Sequence, residues 1–245
     1  YVFHCMAFLL NSNDFKGDDL GLENFFDANY QVACTMQRGI NKDNKMKEML
    51  SFSEKDSVLV HSWMKDYGLF QGITSEDRKA IVDRYLSTIH VITEQHDTID
   101  NKCIERMFTM MMTEFYNVVP RKWLSATSKL LWCSFPDNVV IYDAFVERAI
   151  MILQGITPYL ADFPRIQTSP AVRNMNDIAK CAKFYINYQD MVKAILNEHQ
   201  HQLDKLRIET SETYPHDIRI VDKLLWMLGN PNQAFKLNNV ICRPA

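Results

Sequence analysis

Apolar residues recur every three or four positions along most of the chain, which is the period of one buried helix face. Ile81, Tyr85, Ile89 and Ile92 form one such stripe, and Ile104, Met107, Met111 and Phe115 form a second. Val146, Ala149, Ile150 and Leu153 make a third, while Ile178, Cys181, Tyr185, Tyr188, Val192 and Ile195 follow a longer one. The spacing predicts helices over Leu22–Arg38, Ser57–Tyr67, Asp100–Asn117, Ser125–Phe135, Asn176–Asn197 and Asp217–Leu228. Two more open at local start signals. Thr74-Ser-Glu-Asp77 has the form of a capping box, and Asp143 stands before an apolar-periodic run that Gly155 stops. Gly229 and Pro231 end the last helix in the expected order.

The segments between these helices read as connections. Asn11–Gly21 is polar, Gly39–Asn44 is a turn, and Pro136–Asn138 is a turn leading into a brief extended apolar run, Val139–Tyr142. Pro158–Pro170 is the most loop-like stretch, and a border between two lobes is expected near residues 156–172. The prediction is an all-α chain of about ten helices. It forms one compact multi-helix domain over 1–245, with room for two lobes around a cleft. The Met110–Met112 run reads as core filling, because Met adapts to irregular packing.

Composition narrows the class. The chain has 245 residues, 47% of them hydrophobic, enough for one large core. Only 7 Gly and 8 Pro occur, too few to punctuate a sandwich or barrel. The net charge of -3 argues against broad duplex binding and leaves a local basic stripe open. Cys5, Cys34, Cys103, Cys133, Cys181 and Cys242 contain no C-x-x-C pair, so free, mostly buried thiols and a reducing cytosol are expected. Val2–Leu10 is apolar but too short to span a bilayer, so no membrane association is expected. The chain begins at Tyr1 rather than Met, which leaves a preceding start residue or leader open. His90 and His96 are too far apart for an i, i+4 metal pair, and His199 and His201 point to different helix faces. There is no H-E-x-x-H, Walker loop, G-x-S-x-G or dinucleotide fingerprint, so neither a metal nor a cofactor is expected.

Chemistry concentrates at the centre. Ser128-Lys129-Leu-Leu-Trp132 is followed by Phe135-Pro-Asp137 and then by Ile141-Tyr142-Asp143. A buried helix, a Pro turn, an extended run and an Asp opening the next helix resemble the core of the helix-hairpin-helix DNA glycosylases. Arg219-Ile-Val-Asp222-Lys-Leu-Leu-Trp226 adds a second resemblance near the end. The likeness covers roughly residues 120–155 and 217–229. It implies removal of a damaged or modified base from DNA in the cytoplasm, in repair or in defence against foreign DNA. Asp143 would be the essential carboxylate and Lys129 the nucleophile. A carboxylate stabilises the cationic sugar, and a desolvated amine attacks the sugar carbon to form a Schiff base. The flipped base would lie against aromatic rings, for which Trp123, Trp132, Tyr142, Tyr185 and Tyr188 are candidates. The family's Gly-x-Gly hairpin is missing from Val119–Ala126, so Arg121 and Lys122 are the candidates for holding the DNA backbone. The Lys129–Asp143 spacing is also about one helical turn shorter than the family's.

Each residue also has a plainer reading. Asp143 is a good helix cap, Lys129 in a first turn faces solvent, the aromatics belong to a core, and Arg219–Asp222 is a surface ion pair. On those readings the chain is a non-enzymatic helical interaction domain of a bacterial defence or regulatory complex.

Overall fold

The computed structural model describes residues 20–35, 57–94, 99–211 and 214–230. The described residues form eight α-helices and no strand. The helices are α1 (Leu20–Thr35), α2 (Ser57–Asp66), α3 (Ser75–Glu94), α4 (Asn101–Val118), α5 (Leu124–Ser134), α6 (Ala144–Leu153), α7 (Asn176–Thr210) and α8 (Asp217–Gly229), with a single 3-10 turn at Pro158–Leu160. The expectations for Val2–Leu10, Gly39–Asn44, Cys5, Cys242, Pro231 and most of Asn11–Gly21 fall outside the described residues. Among those described, no helix is long and apolar enough to cross a membrane.

The chain divides into two compact units. One comprises residues 35–142 and 168–189, and is called the central unit below. The other comprises 1–34, 143–167 and 190–245, and is called the terminal unit. Of the borders between them, that at 167/168 lies in the segment expected to divide lobes. Those at 34/35, 142/143 and 189/190 lie elsewhere.

In the central unit α3 packs on α2, α4 and α5. Local chemistry defines the helix ends. Gly68, at φ +71°, follows α2 in the left-handed region that glycine adopts without strain. Leu69 N–H donates to the Met64 carbonyl and Gly68 N–H to that of Lys65, so the helix closes in a Schellman motif. Thr74 caps α3: its Oγ1 accepts from Asp77 N–H at 3.1 Å and donates to the Asp77 carboxylate at 2.8 Å. Asp100 caps α4 by accepting from Cys103 N–H at 2.7 Å. Met111 and Met112 are fully buried and Met110 partly so, which is the core role expected of them.

The terminal unit is built on α8 against α6. Gly229 explains their closeness. A Cβ there would lie 1.8 Å from the Phe145 carbonyl oxygen, so only glycine admits that approach. Its role is close packing inside the last helical turn, rather than the C-terminal stop expected from the sequence. Arg219 and Asp222, expected at the surface, form a buried ion pair with side chains 11% and 4% exposed. The reason is the rest of α8: Ile218, Ile220, Val221, Leu224, Leu225 and Met227 are all buried, so the intervening polar positions are enclosed with them. Helix α7 runs thirteen residues past the expected end at Asn197, to Thr210. Cys34, Cys103, Cys133 and Cys181 are buried and in no disulfide among the described residues.

Candidate functional site

The polar centre of the central unit is the segment 139–142. It is extended as expected, and Val139, Val140, Ile141 and Tyr142 are all buried, with Tyr142 the most exposed at 6%. Main-chain groups withdrawn from water need partners, and no sheet is present among the described residues to supply them. Side chains do so instead. Gln189 Oε1 accepts from Val140 N–H at 3.1 Å, while the Tyr185 hydroxyl donates to the Val140 carbonyl at 2.7 Å. The Tyr188 hydroxyl donates to the Ile141 carbonyl at 2.9 Å. Ser128 Oγ accepts from Tyr142 N–H at 2.9 Å and donates back to the Ser125 carbonyl at 3.1 Å.

Lys129 completes this arrangement. Sequence reasoning puts a lysine in a first turn at the surface, but here it is 7% exposed. Helix α5 is buried along nearly its whole length, so its sixth residue has no solvent side to turn to. Its Nζ donates to Ser125 Oγ at 2.6 Å and to the Tyr142 carbonyl at 3.2 Å. It also lies 5.8 Å from the centre of the Tyr67 ring, within cation–π range. Ser125 Oγ donates to the same carbonyl at 3.4 Å.

The other expected site residues of this unit are also engaged. Arg121 donates to the carbonyls of Leu69 and Gln71, each at 2.9 Å, and its guanidinium lies 4.1 Å from the Trp123 ring centre. Burial lowers its pKa below the usual arginine range. Lys122 Nζ donates to Ser169 Oγ at 2.5 Å and to the Ser169 carbonyl at 3.1 Å. Trp123 is a core residue whose indole N–H donates to the Val119 carbonyl at 2.9 Å, with Phe115 tilted against it at 5.4 Å. Trp132 is 1% exposed, and Tyr185 and Tyr188 are fully buried. The Tyr185 ring stacks on Phe108 at 4.2 Å. These aromatic faces meet protein, which favours their core reading over a role in stacking a flipped base.

Asp143 belongs to the terminal unit. Its extended backbone (φ -139°, ψ 143°) and its Oδ1, which accepts from Phe145 N–H at 2.9 Å, make it the N-cap of α6. The side chain is half-buried. The cap exists as expected, and the carboxylate shares its work with the helix end.

Ser125, Ser128 and Ser169 carry hydroxyl hydrogen bonds at this centre that sequence reasoning missed. For Ser125 a signal was present: Ser125 and Lys129 are four apart on a predicted helix, which places them on one face. For Ser169 there was none, since Lys122 and Tyr142 are distant in sequence. Among the described residues no three His, Cys, Asp or Glu side chains gather as metal ligands.

No family model, characterised protein or solved structure matches the chain. The functional reading therefore stands on these residues and on the resemblance carried by the central motif.

Proposed function

We propose that the chain is a helical DNA glycosylase that removes a damaged or modified base, with the Lys129 amine as nucleophile. The buried amine of Lys129 is the observation that supports this reading. Lysines that form Schiff bases are those withdrawn from bulk water. Ser125 Oγ and the Tyr142 carbonyl both accept from Nζ, so the amine is held as a donor in the resting arrangement. Attack on a sugar requires it to release one of them, and the Ser125 hydroxyl, half-buried and able to rotate, is the one that can yield. Asp143 is proposed as the carboxylate that stabilises the cationic sugar while also capping α6.

The test is incubation with a panel of modified duplexes, scored for abasic sites, with borohydride added to reduce any imine. A covalent DNA adduct mapped to Lys129 and lost in Lys129→Gln supports the nucleophile. Asp143→Asn keeps the cap, since Asn caps about as well as Asp, so the melting temperature should hold. Base release should fall by the equivalent of ~3–4 kcal/mol if the charge acts in the transition state. No base release from any duplex, or full activity in both variants, removes the proposal.

The second reading is an interaction domain without catalysis. Two observations favour it: the internal engagement of Arg121, and the use of Asp143 as a cap. Unaltered partner capture by the same two variants would support it.

A further inference from the structure

We infer that Ser169, Lys122 and Tyr142 form a serine nucleophile with its base and acid, competent for acyl transfer on a small ester. Three independent parts of the central unit bring them together: the segment after Pro120, the end of the extended run, and the stretch before α7. Ser169 Oγ lies 2.5 Å from Lys122 Nζ and 2.8 Å from the Tyr142 hydroxyl. Serine is a weak nucleophile alone and needs a base within hydrogen-bond reach that a third group orients. Both flanking groups meet that distance requirement. Lys–Ser pairs are an established alternative to histidine for this task.

The surroundings suit a reacting centre. Ser169 is half-buried, while Tyr142 is almost enclosed. The Tyr142 backbone is fixed by Ser128 Oγ on its N–H and by Lys129 on its carbonyl, which limits where its ring can point. The ring packs edge-on against Phe184 at 6.2 Å and tilted against Tyr188 at 5.3 Å. Lys122 also donates to the Ser169 carbonyl, tying the base to the residue it serves.

The reaction balances with water as the only co-reactant. The step requires Lys122 in its amine form, accepting from Ser169 Oγ where it now donates; Ser169 Oγ then attacks the ester carbonyl carbon while its proton passes to that amine. The bond to the alcohol oxygen breaks, and that oxygen takes a proton from the Lys122 ammonium or from the Tyr142 hydroxyl, which Lys122 reprotonates. Water then attacks the acyl-serine, releasing the acid and restoring the Ser169 hydroxyl. This goes beyond the glycosylase reading, which gives Lys122 and Tyr142 to DNA contact, and its test is separable because Lys129 and Asp143 take no chemical part in ester hydrolysis.

The full-length chain is treated with a fluorophosphonate probe, which forms a bond from Oγ to phosphorus as fluoride leaves. Hydrolysis of p-nitrophenyl butyrate is followed in parallel. The expected result is an adduct mapped by mass spectrometry to Ser169, absent in Ser169→Ala. Lys122→Met and Tyr142→Phe should each slow labelling and ester hydrolysis by about 10²-fold or more. A purely structural pin between Lys122 and Ser169 would lower the melting temperature of Lys122→Met and give no adduct. Absence of a Ser169 adduct under conditions that label a control serine hydrolase overturns the inference. So does labelling that is indifferent to Lys122 and Tyr142. Neither outcome touches base release, so failure here is separable from failure of the glycosylase reading.

Discussion

In the central unit the buried polar atoms are mostly hydroxyls and an amide, arranged along an extended backbone. In the terminal unit three of them, Arg219, Asp222 and Lys223, are full charges on one helix, α8. Tyr185, Tyr188, Gln189 and Ser128 each meet a main-chain group of residues 140–142. Arg219 and Asp222 instead meet one another inside α8, and Lys223, 3% exposed, lies 4.4 Å from the centre of the Tyr214 ring. The contrast is between polar groups that are required and polar groups that are paired. A buried strand-like segment without a sheet leaves its N–H and C=O groups unmet unless side chains reach them. A buried ion pair on a helix has no such backbone debt, because the helix satisfies its own main chain. It follows that the two regions should respond differently when a partner is removed and when both partners are replaced.

The largest expected effect is at α8. Asp222→Ala leaves the Arg219 charge enclosed without its counter-ion, and should cost ~3–5 kcal/mol of stability. Replacing the pair together, Arg219→Met with Asp222→Leu, should recover most of that loss, since apolar residues of similar volume substitute well for a buried pair. Urea midpoints of the three proteins decide the matter. If the double variant is no more stable than Asp222→Ala, the pair serves something other than its own neutralisation, and the contrast with the central unit fails.

A smaller effect is expected at the extended run. Tyr188→Phe leaves the Ile141 carbonyl without its hydroxyl donor, and Gln189→Leu removes the acceptor for Val140 N–H. Each should cost about 1–3 kcal/mol, the penalty for an unmet buried group. Unlike the α8 pair, no apolar replacement compensates here, because the orphan is backbone. A neutral result for both variants would mean that water reaches the segment.

Much of the helical frame was legible in the sequence because its signals are local. The Thr74–Asp77 box, the Asp100 cap and the Asp143 cap each depend on residues two or three apart. The extended run was legible too, from its flanking turn and its unbroken apolar character. Its partners were not, since Tyr185, Tyr188 and Gln189 lie more than forty positions away, and helical spacing marks Tyr185 and Tyr188 only as inward-facing and Gln189 not at all. The second half of α7 was hidden by the polar run Asn197–Gln202, although His199, Leu203 and Leu206 keep its buried face. The central motif made Lys129 visible as a candidate, and only the packing of α5 revealed that it is buried. Arg219 and Asp222 look like an exposed i, i+3 pair until the apolar residues around the whole of α8 are placed.

The smallest effect at neutral pH, and the one that extends the comparison to titration, concerns Tyr30. It is fully buried in the terminal unit, and its phenol is pushed up to about 12 from the usual 10. Burial is the main cause; the neighbouring Cys34 adds to the shift and Arg207 opposes it. Arg207 is itself ion-paired with Asp217, so the phenol joins the charged network of its unit. Below about pH 10 Tyr30 is protonated in both native and unfolded chains, and its contribution is fully present. As pH rises from about 10 towards about 12, the unfolded chain loses the proton first and stability falls. In the central unit burial also raises the Tyr85 phenol, whose hydroxyl donates to the Leu130 carbonyl at 3.4 Å and meets Ser134 Oγ at 3.5 Å. Urea midpoints measured between pH 9 and pH 12 should therefore decline less steeply in Tyr30→Phe than in the wild type, with the difference closing above the Tyr30 transition. An unchanged alkaline slope in Tyr30→Phe would show that the phenol ionises equally in both states. Tyr30 would then be removed from the buried network around Arg207.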